Sequence, residues 1–207
     1  MTEPNVGVGR KRVEDPRLLR GSGAYVDDLP AANCLHAVFV RSPHAHARVV
    51  GIEATAARAL AEVVGVFTSD DVSSRMPPAP LAVPEALGQV APPLAADTVR
   101  FVGEPVAVVV AETRAVAEDA ARLVEVRYDP LPAVSRPQAA LAPDAPRLHP
   151  DVPGNLSYRV RRTFGDVEGA FRRAAHRVTA QAAHHRIAAV PMEPRGLLVV
   201  PGSGFVA

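Results

Sequence analysis

Short apolar runs separated by polar or proline-containing breaks dominate the middle of the chain. Each run has the length typical of a strand, and most are rich in valine, which favours the pleated conformation. The run at residues 106–110 contains only valine and alanine, so we expect it to be the central strand of a sheet. The predicted strands cover residues 35–40, 47–52, 63–68, 99–102, 106–110 and 125–128.

Two segments between these strands have the pattern of helices. Residues 54–60 are rich in alanine, which loses little side-chain entropy in a helix. Val116, Ala120 and Leu123 recur at helical spacing, and Thr113 before them is the expected N-cap. Strands and helices in this order favour an α+β fold, a split sandwich in which helices cover one face of a mixed sheet.

Two proline-rich segments interrupt this order. Residues 76–93 exclude both a helix interior and a central strand, so we interpret them as a long surface loop. The second segment predicts a stiff, extended linker and a domain boundary. The resulting division is an extended N-terminal arm at residues 1–19, a first domain at 20–132, the linker at 133–153 and an incomplete second domain at 154–207.

The second domain contains too little sequence to stand alone. We predict strands at residues 156–163 and 178–190, with a helix that starts at 165. A further strand begins after residue 190, and residues 201–204 are interpreted as a flexible tail rather than the turn of a hairpin. Because so short a piece exposes sheet edges and buries a small part of its surface, we expect it to need a partner or the rest of its own domain.

Composition narrows the possible functions. A net charge of +1 produces no field that attracts nucleic acid or anionic membranes, and 4% aromatic residues provide few stacking platforms. No apolar run approaches the roughly 18 residues needed to cross a bilayer, and the N-terminus lacks a signal-peptide core. The single cysteine, Cys34, excludes an internal disulfide. We therefore expect a cytoplasmic protein with no membrane span and no nucleic-acid partner.

Candidate catalytic and metal-binding residues are sparse. His44 and His46 would share one face of a strand and could chelate a metal, but no third ligand is evident, and surface or interdomain hydrogen bonding is the alternative. Gly7 and Gly9 resemble part of a phosphate loop, although no strand precedes them and no helix follows. We assign no catalytic, cofactor-binding or metal-binding residue in this chain.

Two proline-containing motifs are better candidates for interface or positioning roles. Gly103, Glu104 and Pro105 form a tight connection in which the carboxylate could anchor an arginine. Glu193 and Arg195 flank a proline at the entry to a strand, where they could face a cleft or pair across an interface.

Five motifs in this order resemble the N-terminal part of the large subunit of molybdenum hydroxylases, the family of aerobic carbon monoxide dehydrogenase, xanthine dehydrogenase and aldehyde oxidase. The resemblance covers nearly the whole chain and is strongest to the carbon monoxide dehydrogenase type. The motifs are E-D-P-R-L-L-R-G-S-G-A-Y-V-D-D at 14–28, R-S-P-H-A-H-A at 41–47, V-G-E-P-V-A at 102–107, A-E-D-A-A at 117–121 and P-M-E-P-R-G at 191–196.

The resemblance implies that residues 20–132 form an a/b hammerhead domain and that the molybdopterin-binding domain begins after the linker. It implies molybdopterin cytosine dinucleotide in the complete enzyme and no cofactor on this chain alone. The family's cofactor-binding segments and glutamate base follow the last motif, and the cysteine loop of carbon monoxide dehydrogenases is absent from this sequence, so the substrate is open. The implied partners are the remaining molybdopterin-binding polypeptide and, where the family uses them, iron–sulfur and FAD subunits.

Three hypotheses about function follow. The chain is the N-terminal fragment or a split subunit of a molybdenum-dependent oxidoreductase, to which it contributes a scaffold. Alternatively, it is a noncatalytic interaction module that keeps the hammerhead fold without a cofactor. The third hypothesis is a decaying, truncated reading frame whose product folds poorly.

Overall fold

A computed structural model describes most of the 207 residues of the chain. The described residues are 7, 9, 11–29, 32–76, 79–80, 90–152, 154–184, 187–191, 193, 195–200 and 205–206. Two compact units result, one formed by Asn33–Ala175 and the other by Met1–Ala32 together with His176–Ala207.

The described part of the chain consists of short helices and short strands. In chain order, the elements are α1 (Asp15–Leu19), the 3-10 helix η1 (Val26–Asp28), β1 (His36–Arg41), β2 (Ala47–Glu53), α2 (Thr55–Arg58), β3 (Val63–Thr68), α3 (Ser69–Val72), β4 (Ala79–Pro80), β5 (Val90–Ala91), β6 (Thr98–Val99), β7 (Pro105–Ala111), α4 (Arg114–Arg122), β8 (Glu125–Pro130), α5 (Pro137–Ala140), α6 (Val167–Arg173), β9 (Leu198–Val199) and β10 (Phe205–Val206).

The larger unit contains two three-stranded sheets, with strand orders β1-β7-β3 and β6-β2-β8, and the two-stranded β4-β5 sheet. The predicted central strand is confirmed, because β7 lies between β1 and β3. The mixed sheet is not observed, since every pairing in the described part of the chain is antiparallel. β1 and β3 do run in the same direction, but β7 separates them and runs the opposite way.

Helices cover one face of the β1-β7-β3 sheet, as the sequence predicts. Ala57 of α2 and Ala120 of α4 pack against Val66, Ala107 and Val109 in one buried cluster. A second cluster lies on the other side of the start of β7, and its buried members are Ala47, Ala95, Val99 and Val106. Small side chains in α4 allow this short helix to approach the sheet closely.

The proline-rich segment after β8 is more folded than an extended linker. Its N-terminal part contains α5, which has a proline in its first turn, where the missing N–H costs nothing. The Asn155 side chain then donates to the carbonyl oxygens of Ala140 and Pro146 and accepts from the Leu148 amide. The Asn155 side chain thus joins three backbone positions of a proline-rich stretch that the composition alone predicts to be extended.

Several other local predictions were wrong. Residues 156–163 contain only an isolated bridge at Tyr158, and residues 178–184 and 187–190 contain no strand. Val190 has a φ of 36°, which lies outside the extended region that a strand requires. The predicted strand at 99–102 is limited to β6, because the chain turns where the Glu104 amide donates to the Phe101 carbonyl. Residues 15–19 of the predicted extended arm are helical.

The smaller unit contains a strand pair where the sequence predicts a flexible tail. β9 pairs with β10 in antiparallel register, with Leu198 opposite Val206 and Val199 opposite Phe205. Pro-Gly-Ser-Gly at residues 201–204 lies outside the described residues, but its residue types are as compatible with a hairpin connection as with a tail. The same unit contains α1 and η1. Within the described part of the chain, no helix is long and apolar enough to cross a membrane.

Candidate functional site

Backbone hydrogen bonds join the Gly103–Glu104 connection to the loop after β1. The Gly103 amide donates to the Ser42 carbonyl over 2.8 Å, and the Ser42 amide donates to the Glu104 carbonyl over 2.9 Å. The Arg41 guanidinium also donates to the Gly103 carbonyl, at 2.8 Å. Gly103 has a φ of 90°, a conformation that glycine adopts at little steric cost. Two of the five sequence motifs therefore meet here.

The Glu104 side chain is directed into this junction. It is 7% exposed, and its carboxylate accepts a hydrogen bond from the backbone amide of Arg100. The sequence suggested that it could anchor an arginine side chain, but the Arg100 guanidinium instead donates to the carbonyl oxygens of Thr98 and Leu148. The contacts of Glu104 thus lie within its own unit.

Pro105 begins β7 and lies opposite Arg41 in the register with β1. A β-bulge between Val40 and Arg41 ends the regular ladder at this point. A strand's first residue is a position that tolerates the missing N–H of proline. The Pro105 carbonyl accepts from the Ala95 amide at 2.8 Å, which ties the chain before β6 to the same junction.

His44 and His46 have separate environments. His46 is nearly buried, and its Nδ1 donates to the Pro132 carbonyl oxygen over 2.7 Å. The His44 ring packs against the Tyr128 ring, with centroids 4.9 Å apart and planes inclined at 59°. Across the described residues, no three His, Cys, Asp or Glu side chains come together in a group that could hold a metal ion.

Tyr128 contributes a buried hydroxyl group to this region. Burial raises the pKa of the phenol, and the nearby Ser42 side chain offsets this effect in part. Ser42 Oγ forms a hydrogen bond within its own loop, where it accepts from the His44 amide at 3.0 Å. Within the described part of the chain, the Tyr128 hydroxyl has no hydrogen bond of normal geometry.

Glu193 belongs to the smaller unit, where its Oε1 accepts a hydrogen bond from the Val26 amide over 2.8 Å. Arg195 in the same motif is exposed. Gly9 of the rejected phosphate loop is also exposed, whereas Val8 and Arg10 lie outside the described residues. Sequence reasoning missed Arg41, Arg100 and Asn155 as tethering residues. Their partners are backbone groups, and sequence patterns do not reveal such partners.

Comparison with known proteins assigns this arrangement to a family. The family model described as "Aldehyde oxidase and xanthine dehydrogenase, a/b hammerhead domain" matches residues 20–132, more than half of the chain. The chain belongs to this family. The predicted resemblance and the α+β hammerhead fold are thereby confirmed.

Individual relatives agree with this membership. The nicotine 6-hydroxylase large subunit of Paenarthrobacter nicotinovorans is 42% identical over 96% of this chain and 24% of the relative. The structure of quinoline 2-oxidoreductase from Pseudomonas putida 86 has a TM-score of 0.75 and 39% identity, over 92% of this hammerhead chain and 24% of that chain. The structure of a Cu,Mo-CO dehydrogenase has a TM-score of 0.62 and 39% identity, and the match covers 82% of this chain and 23% of that chain. The chain thus spans about a quarter of the length of the relatives it matches.

Proposed function

We propose that this chain supplies the hammerhead scaffold of a molybdenum-dependent hydroxylase or dehydrogenase. The observation that carries the proposal is the hammerhead match, combined with coverage of 24% of the nicotine 6-hydroxylase large subunit. The chain corresponds to a quarter of that relative, and the resemblance implies that the family's cofactor-binding segments follow residues 191–196, so the chemistry is proposed to belong to further polypeptide. The complete enzyme is proposed to hold molybdopterin cytosine dinucleotide there, and iron–sulfur and FAD subunits would complete the electron path in the cytoplasm.

An apolar sheet surface supports association with further polypeptide. We call it the open face, and it consists of Ala37, Phe39, Phe67, Val108 and Val110. Phe39 and Phe67 both lie opposite Val108 in the register, so the three side chains form one row on the side away from α2 and α4. The two phenylalanines are 47% and 38% exposed. Clustered aromatic residues on a sheet face are typical of a packing surface.

The local geometry of the open face is maintained by the chain itself. A Cβ atom at Gly65 would lie 2.9 Å from the Phe67 ring, so the ring lies directly over this glycine. The Arg41 guanidinium carbon is 5.4 Å from the centre of the Phe39 ring. Both rings are therefore positioned before any partner arrives, which lowers the entropic cost of association. We propose the remaining molybdopterin-binding polypeptide as the occupant of this face.

Co-expression tests the proposed function. The chain is produced alone and with the companion polypeptide that carries the rest of the molybdopterin-binding region. Molybdenum content and dye-coupled oxidation of aldehydes, purines and carbon monoxide are then measured. Molybdenum and turnover in the complex, and in neither component alone, are the expected result, and the substrate that is oxidised identifies the substrate class.

Two other outcomes contradict the proposal. A stable complex that never contains molybdenum would favour a noncatalytic interaction module. A chain that fails to fold under both conditions would favour a decaying reading frame.

A further inference from the structure

Glu193 connects two motifs that are distant in the sequence. Its carboxylate accepts from the amide of Val26, 167 positions earlier, at 2.8 Å. Val26 is the first residue of η1, and amides at a helix start have no partner within the helix. The preceding amide, that of Tyr25, donates to Asp28 Oδ2 at 3.0 Å. Two carboxylates thus satisfy successive amides at the same helix end.

Gly196 provides a second, independent contact at the same place. A Cβ atom at position 196 would lie 3.2 Å from both Cβ and Cγ1 of Val26, closer than side chains normally pack. The backbone after Glu193 therefore approaches Val26 at a distance that glycine permits without displacement. The carboxylate and the glycine of one motif both meet a single residue of the other.

We propose that Glu193 is a positioning residue that fixes the P-M-E-P-R-G motif on the N-terminal segment, and that it contacts neither substrate nor cofactor. An oxygen acceptor at this position is what the Val26 amide requires, and the negative charge strengthens the bond without being essential. Glutamine should therefore replace Glu193 with little loss, whereas alanine should release both segments. Gly196 is required because it leaves room for Val26.

Amide hydrogen exchange in the whole chain tests this inference. For Glu193→Ala, exchange at Val26 is expected to accelerate about tenfold, as the loss of a charge-assisted hydrogen bond implies. Glu193→Gln should remain within about threefold of the unchanged chain, because the acceptor is retained. Glu168→Ala is the matched control, since this exposed glutamate lies in α6 of the other unit and should leave Val26 unaffected.

A glycine pair tests the second contact. Gly196→Ala should also accelerate exchange at Val26, whereas Gly9→Ala should not, because a Cβ atom at Gly9 meets nothing within 4 Å. Unchanged exchange in both Glu193→Ala and Gly196→Ala would overturn the inference.

Activity of the assembled enzyme provides the remaining test. Glu193→Gln is expected to keep its turnover and substrate affinity. Loss of turnover in Glu193→Gln with normal exchange at Val26 would show that the charge acts on a ligand, and this would also overturn the inference. Exchange is measured on the folded chain and requires neither turnover nor a bound cofactor, so failure of this inference is distinguishable from failure of the proposed function.

Discussion

At the scale of single residues, Glu104 is the clearest case of a carboxylate used to stabilise the fold. Its buried side chain accepts from the Arg100 amide, so removal leaves that amide without its acceptor. We predict that Glu104→Ala lowers the free energy of unfolding by about 2 kcal/mol, and Glu104→Gln by about half of that. Urea unfolding at 25 °C checks this, with the exposed Glu112→Ala as the control. Equal midpoints for Glu104→Ala and Glu112→Ala would contradict the assigned role.

His149 predicts a pH dependence of stability. Burial, together with the positive charge of Arg100, lowers the pKa of this imidazole below its ordinary value of 6.5. The unfolded chain therefore binds the proton more readily than the folded chain does. The neutral imidazole therefore contributes to the free energy of unfolding above pH 6.5. This contribution is lost as the pH falls through the lower pKa of the folded state.

The measurement for His149 is the urea midpoint at pH 7.5 and at pH 5.5. The unchanged chain should lose more stability between these two values than His149→Gln, which has no titrating ring. An identical loss in both proteins would show that the imidazole stays accessible to protons in the folded state.

At the scale of elements, α4 depends on its N-cap. Thr113 Oγ1 accepts from the Val116 amide at 3.3 Å, and the helix then buries Ala117 and Ala120. We predict that Thr113→Ala lowers the free energy of unfolding by about 1 kcal/mol and that Thr113→Ser restores most of it. Thermal unfolding of the three proteins checks this order. Failure of serine to rescue would exclude capping as the cause.

Helices and strands that are encoded by neighbouring residues could be predicted from the sequence. β1, β2, β3 and β7 coincide with apolar runs, β8 begins with alternating polar and apolar residues, and the cap at Thr113 is encoded within three residues of its partner. Residues 178–190 contain similar apolar positions, yet the described part forms no strand. A strand requires a neighbour that accepts its hydrogen bonds, and an apolar pattern does not reveal whether one exists. The β9–β10 pairing was missed because the residue types between the two strands suit a tail as well as a turn.

At the scale of the whole molecule, the order of the five motifs predicted the family. The contacts between distant motifs could be identified only from the structure. Nothing near Gly103 in the sequence indicates that Arg41 and Ser42, about sixty positions earlier, would be its partners. The same applies to Glu193 and Val26. Pairing between distant segments depends on the folded arrangement, which local patterns do not encode. The interface or positioning roles of Gly103, Glu104, Pro105, Glu193 and Arg195 remain predictions.

Association through the open face is testable at the scale of the whole molecule. Burial of a phenylalanine side chain contributes about 1.5–3 kcal/mol, so two half-exposed rings can supply at least a tenfold change in affinity. The Phe39→Ser/Phe67→Ser double variant removes this contribution from the sheet. Leu123→Ser is the matched control, because Leu123 is 41% exposed at the end of α4, the helix that covers the opposite face.

The decisive measurement is the affinity of these proteins for the companion molybdopterin-binding polypeptide, after circular dichroism has shown that each variant is folded. Tight binding is expected for the unchanged chain and for Leu123→Ser, and binding at least about tenfold weaker is expected for the double variant. Equal affinity for all three, or no binding by the unchanged chain, would contradict the claim that the chain is a hammerhead scaffold docked through its open face.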